Sequence, residues 1–232
     1  LAMFAGLSLG REGPSVQLGA SMGQMVSSRL AETERHKRIL IASGASAGLS
    51  AAFNAPLSGV MFTLEEVFKY FSPLILLTCM TSAMVADMVA RIMFGSGPVF
   101  HFQIVGSIEL SNYWLLIILG IILGFFGAFY NWTLLTSQNL MKKIKSPFLR
   151  VLLTFLVVGA TGLLFPNIIG SGHRLMDSFS LGMGLAFLCL ILIGKYLISM
   201  VSYASGVPGG IFFPLLVLGA SLGAVFATIV IS

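Results

Sequence analysis

The chain has 232 residues, of which 57% are hydrophobic and only 9% are charged, and its mean hydropathy is +0.99. Soluble domains carry about a quarter charged residues, so the composition excludes a soluble globular enzyme, a disordered tail and a nucleic-acid-binding module. The formal net charge of +5 does not indicate nucleic acid as a partner, because the basic residues cluster in short connections between long apolar runs. The composition predicts a membrane protein.

Charged residues delimit six apolar runs. These runs are 39–64, 70–86, 110–141, 151–173, 178–194 and 196–232. A bilayer core needs roughly 20 helical residues to cross, and the two shorter runs are bounded by Lys69 and Lys195, which we expect to snorkel to the interface. Only helices and closed barrels satisfy their backbone in lipid, and alternating ten-residue segments are absent. The sequence therefore predicts a polytopic, all-α membrane protein.

Two short connections hold most of the positive charge. The first contains Arg29, Arg35, Lys37 and Arg38, and the second contains Lys142, Lys143, Lys145 and Arg150. The positive-inside rule places both on the cytoplasmic side, and the polar stretch 95–112 is expected to be an external loop. The apolar runs between the two connections do not give the even number of crossings that this requires. We therefore expect at least one run to tilt, re-enter or break.

A short repeat occurs at two predicted helix starts. Residues 14–23 and 214–223 are identical at six of ten positions, and each copy follows a glycine-containing turn, GREG at 10–13 and GGIFF at 209–213. Proline is favoured just inside a helix start, where the first turn presents unpaired N–H groups and a positive dipole end. Repeated broken helices of this kind meet at ion sites in transporters. The repeat predicts an anion site built from backbone amides.

Acidic residues occur in the first of these turns and at the end of the run 39–64. Glu12 has two interpretations: a first-turn glutamate stabilised by its own helix dipole, or a carboxylate that competes with the anion for the same amides. Glu65 and Glu66 precede Lys69, and a helix ion pair with this lysine is the interpretation we prefer for Glu65. Acidic residues at the edge of a membrane segment are also functional candidates.

A hydrolase-like motif lies in the run 39–64. The segment GASAG at 44–48 matches the G-x-S-x-G nucleophile elbow with Ser46 as nucleophile, and Asp87 with His101 or His173 follows in hydrolase order. That motif requires a strand–turn–helix, whereas small residues at this spacing are typical of close helix packing in lipid. An intramembrane serine hydrolase is therefore a remote alternative, and no enzyme is predicted. Asp87 is expected to form a structural ion pair with the arginine four residues later. The histidines and cysteines show no metal-ligand spacing, so no metal is predicted.

Three segments carry a family resemblance. They are GREGP at 10–14, SAAFNAPLSGVMF at 50–62 followed by TLEE, and GVPGGIFFP at 206–214. In this order and at these spacings they resemble the CLC family of chloride channels and transporters, and the resemblance covers essentially the whole chain. It implies a homodimer in which each subunit has its own anion pathway, built from inverted repeats of tilted, broken helices. Residues 1–232 are expected to be a partial CLC transmembrane domain, comprising the end of the first repeat and the start of the second.

The resemblance also implies roles for individual residues. The anion-binding set that it implies is Gly10, Arg11, Glu12, Gly13, Ile211, Phe212 and Phe213. Glu12 matches the external gating glutamate of the family, and Glu66 matches the internal acid that relays protons in its exchangers. Because channel members usually carry an uncharged residue at the internal position, the two acids favour a chloride/proton antiporter over a passive gated chloride channel, which is the alternative. Chloride is the expected bound substrate, protons are the coupled ion, and no cofactor is expected.

The preference among anions is left open by the sequence. The serine turn that contacts the anion in this family would precede Leu1, and the corresponding tyrosine would follow Ser232, so chloride and nitrate are not distinguished. Pro14 argues against the fluoride-exporting branch. The membrane that the protein occupies is not indicated either.

Overall fold

Helices make up the fold. The computed structural model describes residues 6–95, 97, 109–166, 168–172, 175–176 and 184–231, and among these residues the only β-pairing is one isolated bridge. The helices with defined bounds are α1 (Glu12–Leu30), α2 (Glu34–Phe53), α3 (Pro56–Phe62), a π-helix (Thr63–Phe68), α4 (Pro73–Phe94), a 3₁₀ turn (Leu110–Asn112), α5 (Tyr113–Lys142), α6 (Pro147–Leu164), α7 (Leu185–Ala204) and α8 (Phe212–Ile231). The predicted all-α class is confirmed.

Five helical segments are long and apolar enough to cross a bilayer. They are Pro73–Phe94, Leu110–Lys142, Pro147–Leu164, Leu185–Ala204 and Phe212–Val230. Large apolar side chains such as Ile117 and Phe125 on α5 remain exposed in the chain, as expected of helices whose outer surface meets lipid. The chain is a multi-pass integral membrane protein, as predicted.

The apolar run 39–64 is broken at Asn54. This residue adopts a left-handed conformation (φ 52°) between α2 and α3, which asparagine tolerates better than most residues. The guanidinium of Arg91 donates a hydrogen bond to the Asn54 carbonyl oxygen (3.2 Å) and also pairs with Asp87 (2.7 Å). The predicted break is confirmed, and the predicted Asp87–Arg91 pair has a structural role in holding it.

Lys195 does not snorkel. Helix α7 continues through this lysine, whose side chain is fully buried. Its Nζ donates hydrogen bonds to the carbonyl oxygens of Ile168 (3.3 Å) and Gly170. The expectation that Lys195 marks the interface is wrong, because backbone from an earlier segment supplies the acceptors that water would otherwise provide. Lys69, in contrast, is exposed.

The described residues fall into two compact units, one of which is Arg11–Val99. In this unit α1 and α2 cross through glycines. A Cβ atom on Gly19 would lie 2.1 Å from the Gly44 carbonyl oxygen, and a Cβ on Gly44 would lie 2.2 Å from the Gly19 carbonyl oxygen. Only glycine fits at such a crossing, so the small residues of 44–48 serve helix packing. A buried core in the same unit consists of Ile39, Val60, Leu64, Ile75, Cys79 and Ala83.

The other unit combines Leu1–Gly10 with Phe100–Ser232 and contains α5 to α8. One of its cores consists of Tyr130, Leu134, Met200 and Leu218. Helices α5 and α7 are also joined by polar and aromatic contacts: the hydroxyls of Thr133 and Tyr196 share a hydrogen bond, and the Tyr196 ring stacks on Phe129 with centroids 5.9 Å apart. The buried segment that ends at Gly10 belongs to this unit.

Candidate functional site

The two glycine turns of the repeat are joined by a pair of backbone hydrogen bonds. The Gly10 N–H donates to the Gly210 carbonyl oxygen (2.7 Å), and the Gly210 N–H donates to the Gly10 carbonyl oxygen (3.0 Å). Both glycines are buried, and the pairing is antiparallel. A reciprocal antiparallel pair has local two-fold symmetry, which is the relation expected of inverted repeats. The sequence repeat predicts both turns but does not show that they bond to each other.

The same helix start follows each bridging glycine. Helix α1 begins at Glu12 and α8 at Phe212, and in both helices the third residue is the proline of the repeat, Pro14 or Pro214. The missing proline N–H costs nothing there, because first-turn amides have no partner within the helix. The two predicted helix starts are confirmed.

The repeat extends further towards the N-terminus than the sequence comparison indicates. Gly6 and Gly206, each four residues before the bridging glycine of its copy, both have positive φ angles, 88° and 80°. Residues with side chains rarely adopt this conformation, so glycine is required in both copies. A comparison that starts at the prolines misses these two positions, although both glycines are visible in the sequence.

The first copy places an acid at its helix start. Glu12 is the first residue of α1 and is only 9% exposed. Arg11 occupies the N-cap position but its side chain makes no capping hydrogen bond, and it is exposed. The first-turn N–H groups of α1 therefore gain no acceptor from their cap, and the positive dipole end stabilises negative charge beside them. The start of α1 suits either the Glu12 carboxylate or an anion.

The second copy is apolar at the matching positions. Ile211 packs against the core around Tyr130, Phe212 is 49% exposed and Phe213 is 1% exposed. Among these three residues only the backbone can bind an anion, because none of the side chains carries a polar group. The two copies thus have one backbone pattern and different side-chain chemistry.

Glu66 lies in the π-helix, in the same unit as Glu12, and its side chain is exposed. The Lys69 N–H donates to the Leu64 carbonyl oxygen (2.8 Å), five residues back, and Lys69 has a left-handed φ of 58°. With this geometry, residues four apart in the sequence no longer lie on the same face of the helix. Within the part of the chain that the structure describes, Glu65 and Lys69 are not in ion-pair contact, so the preferred ion pair is wrong.

The hydrolase alternative is also wrong. Ser46 is fully buried in the middle of α2, not on a strand–turn–helix. Asp87 is paired with Arg91. The candidate histidines, His101 and His173, lie outside the described residues.

The chain is similar to known transport proteins along its whole length. A profile of the family described as "Voltage gated chloride channel" matches residues 1–232. The chain is 36% identical over 233 residues to the H(+)/Cl(-) exchange transporter ClcA of Klebsiella pneumoniae, a match that covers 96% of this chain and 49% of that protein. It is also 36% identical over 238 residues to ClcA of Vibrio cholerae, covering 98% of this chain and 51% of that protein.

Solved structures agree with the sequence comparison. A slow cyanobacterial Cl-/H+ antiporter superimposes with a TM-score of 0.85 at 30% identity, covering 97% of this chain and 54% of that one. A CLC-type fluoride/proton antiporter gives a TM-score of 0.81 at 26% identity, covering 97% and 57%. The chain spans about half the length of the relatives that it matches. These relatives are transporters and not enzymes, in agreement with the prediction that the chain is not an enzyme.

Proposed function

The chain belongs to the Voltage gated chloride channel (CLC) family, and on this premise we propose that the protein exchanges chloride for protons across a membrane. The observation that carries the proposal is the Gly10–Gly210 pair. The two paired glycines form a single backbone bridge. An acidic helix start follows one of them, and an apolar helix start follows the other, in each case two residues further along the chain. Such a constellation can bind an anion with amides and adjust that binding with one carboxylate.

The proposed anion-binding groups are backbone amides at the two helix starts. They belong to Gly10, Arg11, Glu12 and Gly13 in the first copy and to Ile211, Phe212 and Phe213 in the second. Amides and helix dipoles carry partial charges, so they attract chloride moderately. Moderate attraction suits transport, because a bound ion must also leave.

In this proposal the Glu12 carboxylate competes with chloride for the first-turn amides of α1. When Glu12 takes up one proton it loses its charge, leaves the amides and lets chloride bind; when it releases the proton it returns. Glu66 exchanges that proton with the internal solution. Its exposure and its place in the same unit as Glu12 support this role. Chloride is the substrate, the mechanism needs no cofactor, and the protein works in a lipid bilayer as a homodimer.

A passive gated channel is the second candidate within the same family. In a channel Glu12 would open and close the path without moving protons stoichiometrically. Acids at both Glu12 and Glu66 favour exchange, because a channel has no use for an internal proton acceptor. Under a combined chloride and pH gradient, a reversal potential that stays at the chloride equilibrium potential would select the channel.

The test is proton transport driven by a chloride gradient in liposomes containing the full-length protein. We expect Glu12→Gln to abolish proton movement while chloride flux continues, and Glu66→Gln to stop proton movement as well. Glu65→Gln is the matched control, since Glu65 is also exposed and lies in the same π-helix; it should retain coupling. Proton transport that survives both of the first two changes would overturn the mechanism.

A further inference from the structure

Lys195 is the largest fully buried side chain among the described residues, and the proposed exchange mechanism does not use it. An ionisable side chain inside a membrane-spanning helix is costly and is retained for a reason. Its Nζ reaches two backbone carbonyl oxygens, those of Ile168 and Gly170, which precede it by 27 and 25 residues. Lys195 therefore fastens the segment 168–172 to the middle of α7.

The two ends of the segment 168–172, Ile168 and Gly172, are buried. A Cβ atom on Gly172 would lie 3.1 Å from Cε of Lys195 and 2.8 Å from Cγ2 of Val217 in α8. Ile168 packs against Ile198 on α7. The lysine stem thus packs along the same segment whose carbonyls its amino group binds.

From this segment a line of backbone contacts leads to the bridging glycines. The Gly170 N–H donates to the Gly6 carbonyl oxygen (2.7 Å). The Ser8 N–H, two residues further along, donates to Oγ of Ser202 on α7 (3.0 Å). Two residues beyond Ser8 the chain reaches Gly10 and its pair with Gly210. Lys195, the segment 168–172 and residues 6–10 form one hydrogen-bonded path.

We propose that Lys195 is a positioning residue for the anion site: its hydrogen bonds to Ile168 and Gly170 hold residues 6–10 in the register that presents the first helix start. The inference rests on the proposed function, because it takes the amides beside Gly10 as anion ligands. Without the lysine, the buried Ile168 carbonyl and the partly buried Gly170 carbonyl lose a donor, a costly change, and the segment 168–172 has to move to find others. Movement there is passed through Gly6 to the amides that bind chloride.

The test compares chloride affinity in three variants of the full-length purified protein by isothermal titration calorimetry. Lys195→Met keeps the stem and removes the donors, and we expect it to weaken chloride binding by about 10-fold, as for loss of hydrogen bonds to buried groups. Lys195→Arg keeps donors and should recover part of the affinity. Ile198→Ala is the matched control, because it loosens the packing of Ile168 without removing a donor; its melting temperature should fall while its chloride affinity stays as in the wild type.

The outcomes separate this proposal from the proposed function. Wild-type affinity in folded Lys195→Met, or an equal loss of affinity in Ile198→Ala, would overturn the positioning role. If Lys195→Met does not fold, Gly6→Ala strains the same path at a residue with positive φ, and it should weaken chloride binding likewise; unchanged affinity there overturns the proposal. A wild-type protein that binds no chloride would instead refute the proposed function.

Discussion

The starts of α1 and α8 follow one backbone plan but differ at all three positions between the bridging glycine and the proline. Arg11, Glu12 and Gly13 stand in the first copy where Ile211, Phe212 and Phe213 stand in the second. The shared part consists of what the backbone needs: a positive-φ glycine, a bridging glycine and a proline in the first helical turn. The side chains diverged within that constraint, so only one copy can bind and release a proton.

The two helices also differ in how they pack. Gly19 and Gly23 of α1 lie against the backbone of α2, whereas the matching Gly219 and Gly223 of α8 have open space at the Cβ position within the described residues. The same glycine spacing therefore serves close helix packing in the first copy. In the second copy, no described residue packs closely against these glycines. Sequence identity between the copies does not imply equal packing.

The largest effect is expected at the α1–α2 crossing. Gly19→Val places a side chain where a Cβ atom alone would lie 2.1 Å from a backbone oxygen, so we expect a destabilisation above about 3 kcal/mol and little folded protein. Thermal melting and gel filtration of the full-length protein would measure it. Gly120→Ala in α5, where the added Cβ meets nothing within 4 Å, is the control. A Gly19→Val protein that melts like the wild type would show that the first copy is not packed through its glycines.

The chemical difference between the copies predicts unequal roles at matched positions. In the proposed mechanism the second copy contributes backbone amides only, so Phe212→Leu should preserve the ratio of chloride to protons exchanged, whereas Glu12→Gln should abolish proton movement. Paired chloride and proton fluxes in liposomes would measure both ratios. Loss of coupling in Phe212→Leu would mean that the second copy also takes part in proton transfer.

A smaller effect is expected at the hydrogen bond that holds residues 6–10 of the first copy against α7. Ser202→Ala removes the acceptor of the buried Ser8 N–H, and we expect a loss of about 1–3 kcal/mol in stability. Ser8→Ala is the matched control: the Ser8 hydroxyl has no hydrogen-bond partner in the described part of the chain, so its removal breaks no hydrogen bond and should not destabilise the protein. Thermal melting distinguishes the two. Equal shifts would mean that residues 6–10 do not depend on α7 for their position.

The smallest effect is expected at Arg11, whose charge has no counterpart in the second copy. Its side chain is exposed and does not cap α1. Exposed charges contribute about 1 kcal/mol or less, so Arg11→Gln should weaken chloride binding by less than about fivefold at physiological salt. Calorimetric titration with chloride measures the change. A much larger loss would show that the guanidinium, rather than the amides, holds the anion.

Local signals in the sequence were sufficient for several features. Proline after a glycine turn predicts the starts of α1 and α8, and the small residues of 44–48 predict a close helix crossing. The count of crossings predicts that at least one apolar run tilts, re-enters or breaks, but the break at Asn54 in the run 39–64 depends on Arg91, which lies 37 residues away and donates to its carbonyl. The existence of the break was predictable and its position was not.

Long-range partners account for the remaining failures. A charged residue next to an apolar run resembles a boundary, and nothing near Lys195 in the sequence shows that carbonyls 25 and 27 residues earlier will surround it. The spacing of Glu65 and Lys69 predicts an ion pair only if the intervening helix is α-helical. For the candidate site, the sequence predicts both halves of the amide set, but the Gly10–Gly210 pair joins residues 200 positions apart.

The π-helix at Thr63–Phe68 has a consequence for how insertions and deletions would act on this protein. A π-helical turn contains more residues than an α-helical turn. Deletion of one residue would therefore let this segment close into an ordinary α-helix. Such a deletion ahead of Glu65 would remove the extra residue of the π turn, so the chain after Phe68 would keep its orientation while Glu66 moved to the place that Glu65 held. A change of chain length by one residue would therefore decide which of two adjacent carboxylates faces a given direction, without any substitution.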